Sequence, residues 1–136
     1  MRRAVENIEE SLPSGARIAI TPMVGNYMIE FEYNFHYHFT LSRGPVEEFL
    51  TNELELILLS RNFTVVTTGL DEIHVAERRY WGLESDTSVA TRIGRFAGAT
   101  VVIIVGVDGP SNFRRLRLRV VNTATMQVIG AASESF

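Results

Sequence analysis

The segment TVVIIV, residues 100–105, is a continuous run of strand-forming residues, apolar after its first threonine. A strand of this composition is typical of the interior of a sheet that is covered on both faces. Gly98 precedes it at the position where glycine commonly ends a helix. Residues 87–97 have helical apolar spacing, and Asp86 is suited to the N-cap. The sequence therefore predicts a helix that leads directly into a buried strand.

Apolar periodicity predicts the other elements around this strand. These are helices at 2–12, 46–60 and 70–80, and strands at 17–21, 63–67, 113–121 and 126–134. We expect strand 63–67 to be central and residues 122–125 to form a hairpin turn. The order predicts one domain, residues 1–136, with an α/β (α+β) fold. Its mixed β-sheet has about five to six strands, with helices packed on it and a C-terminal antiparallel meander.

The predicted helices each have one apolar face. In helix 46–60 this face includes Phe49, Leu50 and Leu54, and in helix 87–97 it includes Ile93 and Phe96. Residues three and four positions apart lie on one side of a helix. We therefore expect all five side chains to belong to the core.

Residues 27–41 show the strongest alternation in the chain. Every odd position is aromatic or aliphatic, and the even positions are mostly polar. The segment exceeds the usual strand of about five to six residues, so it is either one long strand or two strands joined near Asn34. A two-residue turn is expected to keep the odd positions on one face. That face either packs in the core or binds a partner chain. The partner-binding candidates are Phe31, Tyr33, Phe35 and Tyr37.

The even positions of this segment offer a different function. His36 and His38 are predicted to share a face with Glu30 and Glu32, and imidazole with carboxylate can bind zinc or a similar ion. This pattern gives the alternative of a small-ligand or metal-binding module on the polar face of strand 27–41. The competing interpretation is an ordinary solvated face, because no third ligand has a recognisable spacing. We assign no metal, and His36 and His38 are the candidates of the alternative.

A row of arginines is the second candidate site. Arg115, Arg117 and Arg119 share one face of their predicted strand, and the apolar residues between them take the other. Three guanidinium groups in a row could bind phosphate or an acidic partner. The alternative is a solvated face that pairs with Asp and Glu on neighbouring strands. The net charge of −3 favours that alternative and argues against nucleic-acid binding.

The sequence lacks the residues that several classes of enzyme chemistry require. The chain has no cysteine, and its thirteen basic residues are all arginine, which removes thiolate nucleophiles and Schiff-base lysines. No Gly-x-Ser-x-Gly elbow or glycine-rich phosphate loop occurs. We predict that the chain is not an enzyme and binds no cofactor. The opening MRRAVENIEE has no apolar stretch, so it predicts neither a signal peptide nor a membrane anchor.

The order of motifs over residues 46–135 resembles a known family. VEEFLTNEL at 46–54 leads into FTVV at 63–66, LDEI follows at 70–73, and FAGA at 96–99 enters the apolar strand. This order resembles bacterial envelope lipoproteins related to the curli-secretion channel component and to penicillin-binding-protein activators of the LpoB type, including spirochaete members. Thr67-Thr68 replaces the family's usual Asp-Arg, and no lipid-accepting cysteine is present.

The resemblance implies a non-enzymatic, periplasm-facing interaction domain. Such a domain would bind a protein partner or form a homo-oligomer, through the aromatic segment and the arginine row. It would lie in the cell envelope, and it would reach the membrane only through an anchor that this chain does not contain. The alternative location is the cytoplasm.

Overall fold

Three helices and seven strands make up the part of the chain that the structure describes. The structure is a computed structural model, and it describes residues 1–22, 25–31, 34–40, 45–66, 86–108 and 113–135. The helices are α1 (Arg2–Glu9), α2 (Pro45–Ser60) and α3 (Asp86–Phe96). The strands are β1 (Arg17–Pro22), β2 (Gly25–Phe31), β3 (Asn34–Thr40), β4 (Thr64–Val66), β5 (Val101–Asp108), β6 (Arg115–Asn122) and β7 (Val128–Ser135).

A mixed five-stranded sheet has the order β4-β1-β5-β6-β7. β1 is parallel to both β4 and β5, and β6 and β7 follow as an antiparallel meander. β5 is the middle strand, and residues 101–105 are all buried. The α+β class, the mixed sheet and the meander are therefore confirmed. The prediction that strand 63–67 is central is wrong, because β4 has three residues and lies at the edge of the sheet.

Helices α1 and α2 cover one face of the sheet. α1 packs on β6 and β7, and α2 packs on β1, β4 and β5. Leu54, Leu58 and Ile8 are fully buried there, together with Ile103 and Leu118. The apolar face of each helix can reach the sheet because its large aliphatic residues recur at helical spacing. This face holds the larger of the two core clusters.

Helix α3 covers part of the opposite face with small residues. Its cluster includes Ala90, Ala99, Val102 and Val121. A Cβ on Gly94 would lie 3.1 Å from Thr123 Cγ2 and 3.3 Å from Val102 Cβ, so this glycine lets the helix backbone approach the sheet closely. The helix ends at Phe96, and Gly98 lies just beyond it in the left-handed conformation expected of a glycine at this position, with a φ of 76°.

Two predicted core residues are exposed instead. Phe49 is 62% exposed and Phe96 is 51% exposed, although their neighbours Leu50 and Ile93 are buried. The buried stripe of α2 follows Leu50 and the residues at intervals of four, which is narrower than the predicted face. The predicted helix 70–80 lies outside the described residues. That residues 1–136 form one domain stays a prediction.

Strands β2 and β3 form an antiparallel hairpin, which decides between the two alternatives for residues 27–41. They pair with each other and with none of the other described strands. Phe31 is opposite Asn34, and Ile29 is opposite His36. Directly opposite positions lie on the same face of an antiparallel pair. Odd positions of β2 therefore share a face with even positions of β3, and the prediction that a two-residue turn keeps the odd positions together is wrong.

Candidate functional site: the arginine face

Strand β6 places three arginines on a solvent-facing surface. Its residues alternate between exposed and buried from Arg115 to Val120. Arg115, Arg117 and Arg119 are exposed, whereas Leu116 and Leu118 are buried under α1 and α2. The alternation follows from the two-residue period of a strand. The predicted common face of the three arginines is confirmed, but their role is a separate question.

The strand register defines what lies beside the arginines. On β7 the opposite residues are Ser135, Ser133 and Ala131, all exposed. We call the surface formed by these three residues and the three arginines the arginine face. On β5 the opposite residues are Asp108, Gly106 and Ile104. Among these six described positions only Asp108 is acidic. In this register Asp108 is opposite Arg115.

The small residues leave a groove on this surface. Its volume is about 310 Å³. It is lined mainly by side chains and backbone of three strands, at Ile104, Gly106, Arg117, Arg119, Ala131 and Ser133. Gly106 and Ser133 flank Arg117 on its two sides. Because these flanking residues are small, the surface beside Arg117 is recessed, and a ligand can reach the guanidinium groups from the solvent side.

Helix α3 sets one end of the arginine face. Val121 lies two residues beyond Arg119 on the same face of β6, yet it is buried in the cluster under α3. At the boundary, Arg119 Nη1 donates a hydrogen bond to Thr87 Oγ1 over 3.2 Å. Helix α3 therefore covers this face of β6 as far as Val121, and the arginine face begins at the next residue on that face, Arg119.

The turn between β6 and β7 is fixed to the same helix. Arg95 donates from Nε to the Thr123 carbonyl and from Nη2 to the Ala124 carbonyl. Thr123 is buried, and its hydroxyl donates to the Ala99 carbonyl over 2.8 Å. Asn122 Oδ1 accepts hydrogen bonds from the amides of Ala124 and Thr125. These bonds hold the register of the two strands that present the arginine face.

The aromatic candidates are not brought into this site by anything the structure describes. Tyr33 lies outside the described residues, and for Phe31, Phe35 and Tyr37 only the backbone is described, in the hairpin. Their role in partner binding stays a prediction. The small residues of β7 were not among the predicted site residues. The signal for them was the sequence AASES at 131–135, in which every other residue is small.

The strand register removes one of the carboxylates that the metal-binding alternative requires. Glu30 is opposite Phe35 in the hairpin, whereas His36 is opposite Ile29. The prediction that Glu30 shares a face with His36 and His38 is therefore wrong, and Glu32 lies outside the described residues. Metal binding by the two histidines stays a prediction. Among the side chains that the structure describes, no three His, Asp or Glu residues come together as a metal site.

The described helices are also too short or too polar to cross a bilayer.

Comparison with known proteins identifies the fold. No protein-family model matches the chain, and no curated protein does. The C-terminal domain of LpoB from Salmonella enterica superimposes with a TM-score of 0.61 at 18% identity, over 100% of this chain and 94% of that one. The NMR structure of LpoB from E. coli gives 0.57 at 17% identity, over 96% of this chain and 63% of that one.

A third similar structure is the lipoprotein GNA1162 from Neisseria meningitidis. It has a TM-score of 0.53 at 12% identity, and the match covers 89% of this chain and 79% of that one. These likenesses show that the chain has the fold of the LpoB C-terminal domain. The LpoB part of the predicted resemblance is thus confirmed for the fold, and the link to the curli-secretion channel component and to spirochaete members stays a prediction.

Proposed function

We propose that this chain is a non-enzymatic interaction domain of the cell envelope, which binds a protein partner through the arginine face. The observation that carries the proposal is the solvent-exposed row of Arg115, Arg117 and Arg119 beside the small residues of β7. Guanidinium groups on a rigid strand present fixed pairs of donors, which suit carboxylates on a partner.

The similar structures support the proposed location. The similar structures include LpoB domains and a lipoprotein, and a lipoprotein is held at a membrane by its lipid. A domain with this fold would therefore face other envelope proteins. Fold alone does not define function, so the arginine face is what makes the proposal specific to this chain.

The test is crosslinking of the native, full-length protein in its own cells. A photoreactive amino acid replaces Ser133 in the arginine face, and in a matched strain it replaces Glu10, which is exposed beyond the end of α1. We expect recovery with the envelope fraction and one defined crosslinked protein from position 133 only. The double variant R115Q/R117Q should lose that product. Recovery in the soluble cytosol, or equal products from both positions, would overturn the proposal.

A further inference from the structure

Helix α2 has large apolar side chains on its solvent side as well as on its core side. Leu54 and Leu58 are fully buried against the sheet. In contrast, Phe49 and Leu56 are each 62% exposed, and Leu59 is 48% exposed. Leu56 lies two helical turns after Phe49, and Leu59 lies one turn further, so the three exposed side chains follow one side of the helix. We call these three residues the α2 stripe.

The α2 stripe differs from the other exposed apolar residues in the described part of the chain. These others lie each on a different element or connection, and they are Phe96, Phe113, Met126 and Val128. Single exposed apolar residues are common on soluble proteins. A row along one helix is not, because a surface helix ordinarily has polar residues opposite its core side. An exposed apolar patch that polar residues border is typical of an interaction site.

Glutamates border the α2 stripe on both sides. Glu53 lies four residues after Phe49 on one side, and Glu55 lies four residues before Leu59 on the other. Both glutamates are partly exposed, and the ion pairs among the described residues include neither of them. The sequence of α2 contains four glutamates and no lysine or arginine. The solvent side of α2 is therefore apolar along its middle and negatively charged at its borders.

We propose that the α2 stripe docks an amphipathic helix of a partner protein, whose apolar side is bordered by lysine or arginine. A helix fits this surface because residues at intervals of three and four form a ridge that packs into the groove of another helix. The stripe extends about 15 Å along the axis of α2, which corresponds to about three turns of a partner helix. α2 packs on the face of the sheet opposite the arginine face, so this is a second surface and does not depend on the proposed function.

Charge favours this occupant over two others. Basic residues at the borders of a partner helix would lie beside Glu53 and Glu55, and such flanking charges determine which helices pair. The α2 helix of a second copy would bring only glutamates to the same position, and like charges in contact oppose association. An anionic membrane surface attracts basic segments and repels acidic ones. A second copy and a membrane are therefore the competing outcomes in the experiments.

The first experiment uses the full chain and a fluorescein-labelled peptide made of three repeats of Leu-Ala-Ala-Leu-Lys-Gln-Lys, whose lysines border a row of leucines. Fluorescence anisotropy should show saturable binding. A matched peptide with glutamate in place of every lysine should bind at least about tenfold more weakly, because its charges would face the glutamates of α2. Absence of binding by the lysine peptide, or equal binding of the two peptides, would overturn the proposal.

The apolar contribution of the stripe is tested with the lysine peptide. F49S/L56S should weaken binding at least about tenfold, because full burial of one such side chain is worth about that factor. The control F113S/V128S removes two exposed apolar residues from elsewhere and should change affinity by less than about twofold. Urea unfolding verifies that both variants fold, and Leu59→Ser provides a single substitution in the stripe. Equal losses in the two double variants would contradict docking on α2.

The charged borders are tested separately. E53Q/E55Q should weaken binding of the lysine peptide about threefold at low salt, as is usual for two exposed ion pairs. The loss should shrink in 1 M NaCl, because salt screens these charges. The control E6Q/E10Q removes the same charge from exposed residues on α1 and just beyond its end, and it should have a smaller effect. An effect of E53Q/E55Q no larger than that of the control would overturn the assignment of a basic partner.

Two further measurements examine the competing occupants. Analytical ultracentrifugation should show no dimer that F49S/L56S abolishes, and sedimentation with phosphatidylglycerol vesicles should leave the chain in solution. A dimer that depends on the stripe would assign this surface to a second copy. Vesicle binding that F49S/L56S abolishes would assign it to a membrane. Either result would overturn the proposal.

A crosslink in cells identifies the natural occupant. A photoreactive amino acid replaces Asn52, which is exposed between Phe49 and Leu56 on the same side of α2, in the native, full-length protein. Mass spectrometry of the product should identify a segment with apolar residues at helical spacing, bordered by lysine or arginine. No product, a product within the chain, or a partner segment without this pattern would overturn the proposal. Loss of the product at position 133 alone would overturn the proposed function and leave this inference standing.

Discussion

The two faces of the sheet differ in how completely helices cover them. On the face under α1 and α2, β6 contributes Leu116, Leu118 and Val120, all at most 2% exposed. On the other face, the same strand contributes Arg115, Arg117 and Arg119 to solvent, and only Val121 is covered by α3. One strand thus contributes one set of side chains to the core and exposes the other set, which forms the proposed binding surface. Substitutions on the covered face should therefore lower the free energy of unfolding, and substitutions on the exposed face should affect partner binding.

The largest expected effect is on the closed face. Leu118→Ala should lower the free energy of unfolding by about 2–5 kcal/mol, because it removes a buried side chain and leaves a cavity. The neighbouring control Arg117→Ala should change it by less than about 0.5 kcal/mol, as is usual for exposed sites. Urea unfolding followed by circular dichroism measures both. Similar losses for the two variants would contradict the distinction between the faces.

The next effect tests how tightly the closed face is packed at β7. A Cβ on Gly130 would lie 2.6 Å from Ser11 Oγ and 2.7 Å from Ser11 Cβ. Gly130→Ala should therefore destabilise the fold by about 1–3 kcal/mol through overpacking. Ser11→Gly removes both atoms, and in the double variant it should recover part of the loss. A cycle of the four proteins measures this coupling, and strictly additive effects would show that the two residues do not touch.

A smaller effect tests the hydrogen bonds that hold the β6–β7 turn near α3. Thr123→Val keeps the shape of a buried side chain but removes its hydrogen bond to the Ala99 carbonyl. We expect a loss of about 1 kcal/mol. The control Thr125→Val removes a hydroxyl of the same turn that accepts a hydrogen bond from the Gln127 amide. Thr125 is exposed, so water can replace that bond and the variant should cost less. Thermal unfolding of both variants provides the comparison, and an equal shift in melting temperature would contradict it.

The smallest effect concerns ion pairs that join α1 to the end of α2. Arg61 lies 3.6 Å from Glu6 through Nη2 and also pairs with Glu9 through Nη1. These groups are partly exposed, so Arg61→Gln should cost about 0.5 kcal/mol. The difference from the unsubstituted protein should shrink in 1 M NaCl because salt screens such pairs. Urea unfolding at both salt concentrations tests this, and a loss that salt leaves unchanged would point to packing by the arginine stem.

Sequence patterns predicted where helices and strands lie along the chain better than which strands pair with one another. The run at 100–105 was identifiable as a buried strand because both of its faces are apolar, and the alternation in β6 identified the arginine row. The same patterns misassigned β4 as central, because a β-branched run such as FTVV is compatible with an edge as well as an interior strand. Sheet order depends on which strands pair across the chain, and no local pattern contains that information.

The candidate site was predictable in part for the same reason. The arginines share a face because of spacing within one strand, which is visible in the sequence. Ala131 and Ser133 become part of the site only because β7 pairs with β6 in one register. The hairpin shows the converse, since the register of β2 and β3 separated Glu30 from His36 although their spacing suggested a common face. Phe49 and Phe96 were misassigned because the helical faces that reach the sheet are narrower than the apolar stripes.

The contact between α1 and β7 has a consequence for the order in which the chain folds. Residues of α1 pack on β6 and β7, and the amino group of Met1 pairs with Glu134. On the ribosome, α1 emerges more than a hundred residues before β6 and β7, the strands on which it packs. Contacts between residues so distant in sequence form slowly, because a long loop must close first. Until β6 and β7 have emerged, α1 lacks the strands on which it packs, and we expect a chaperone that binds nascent chains to have access to its apolar side during that time.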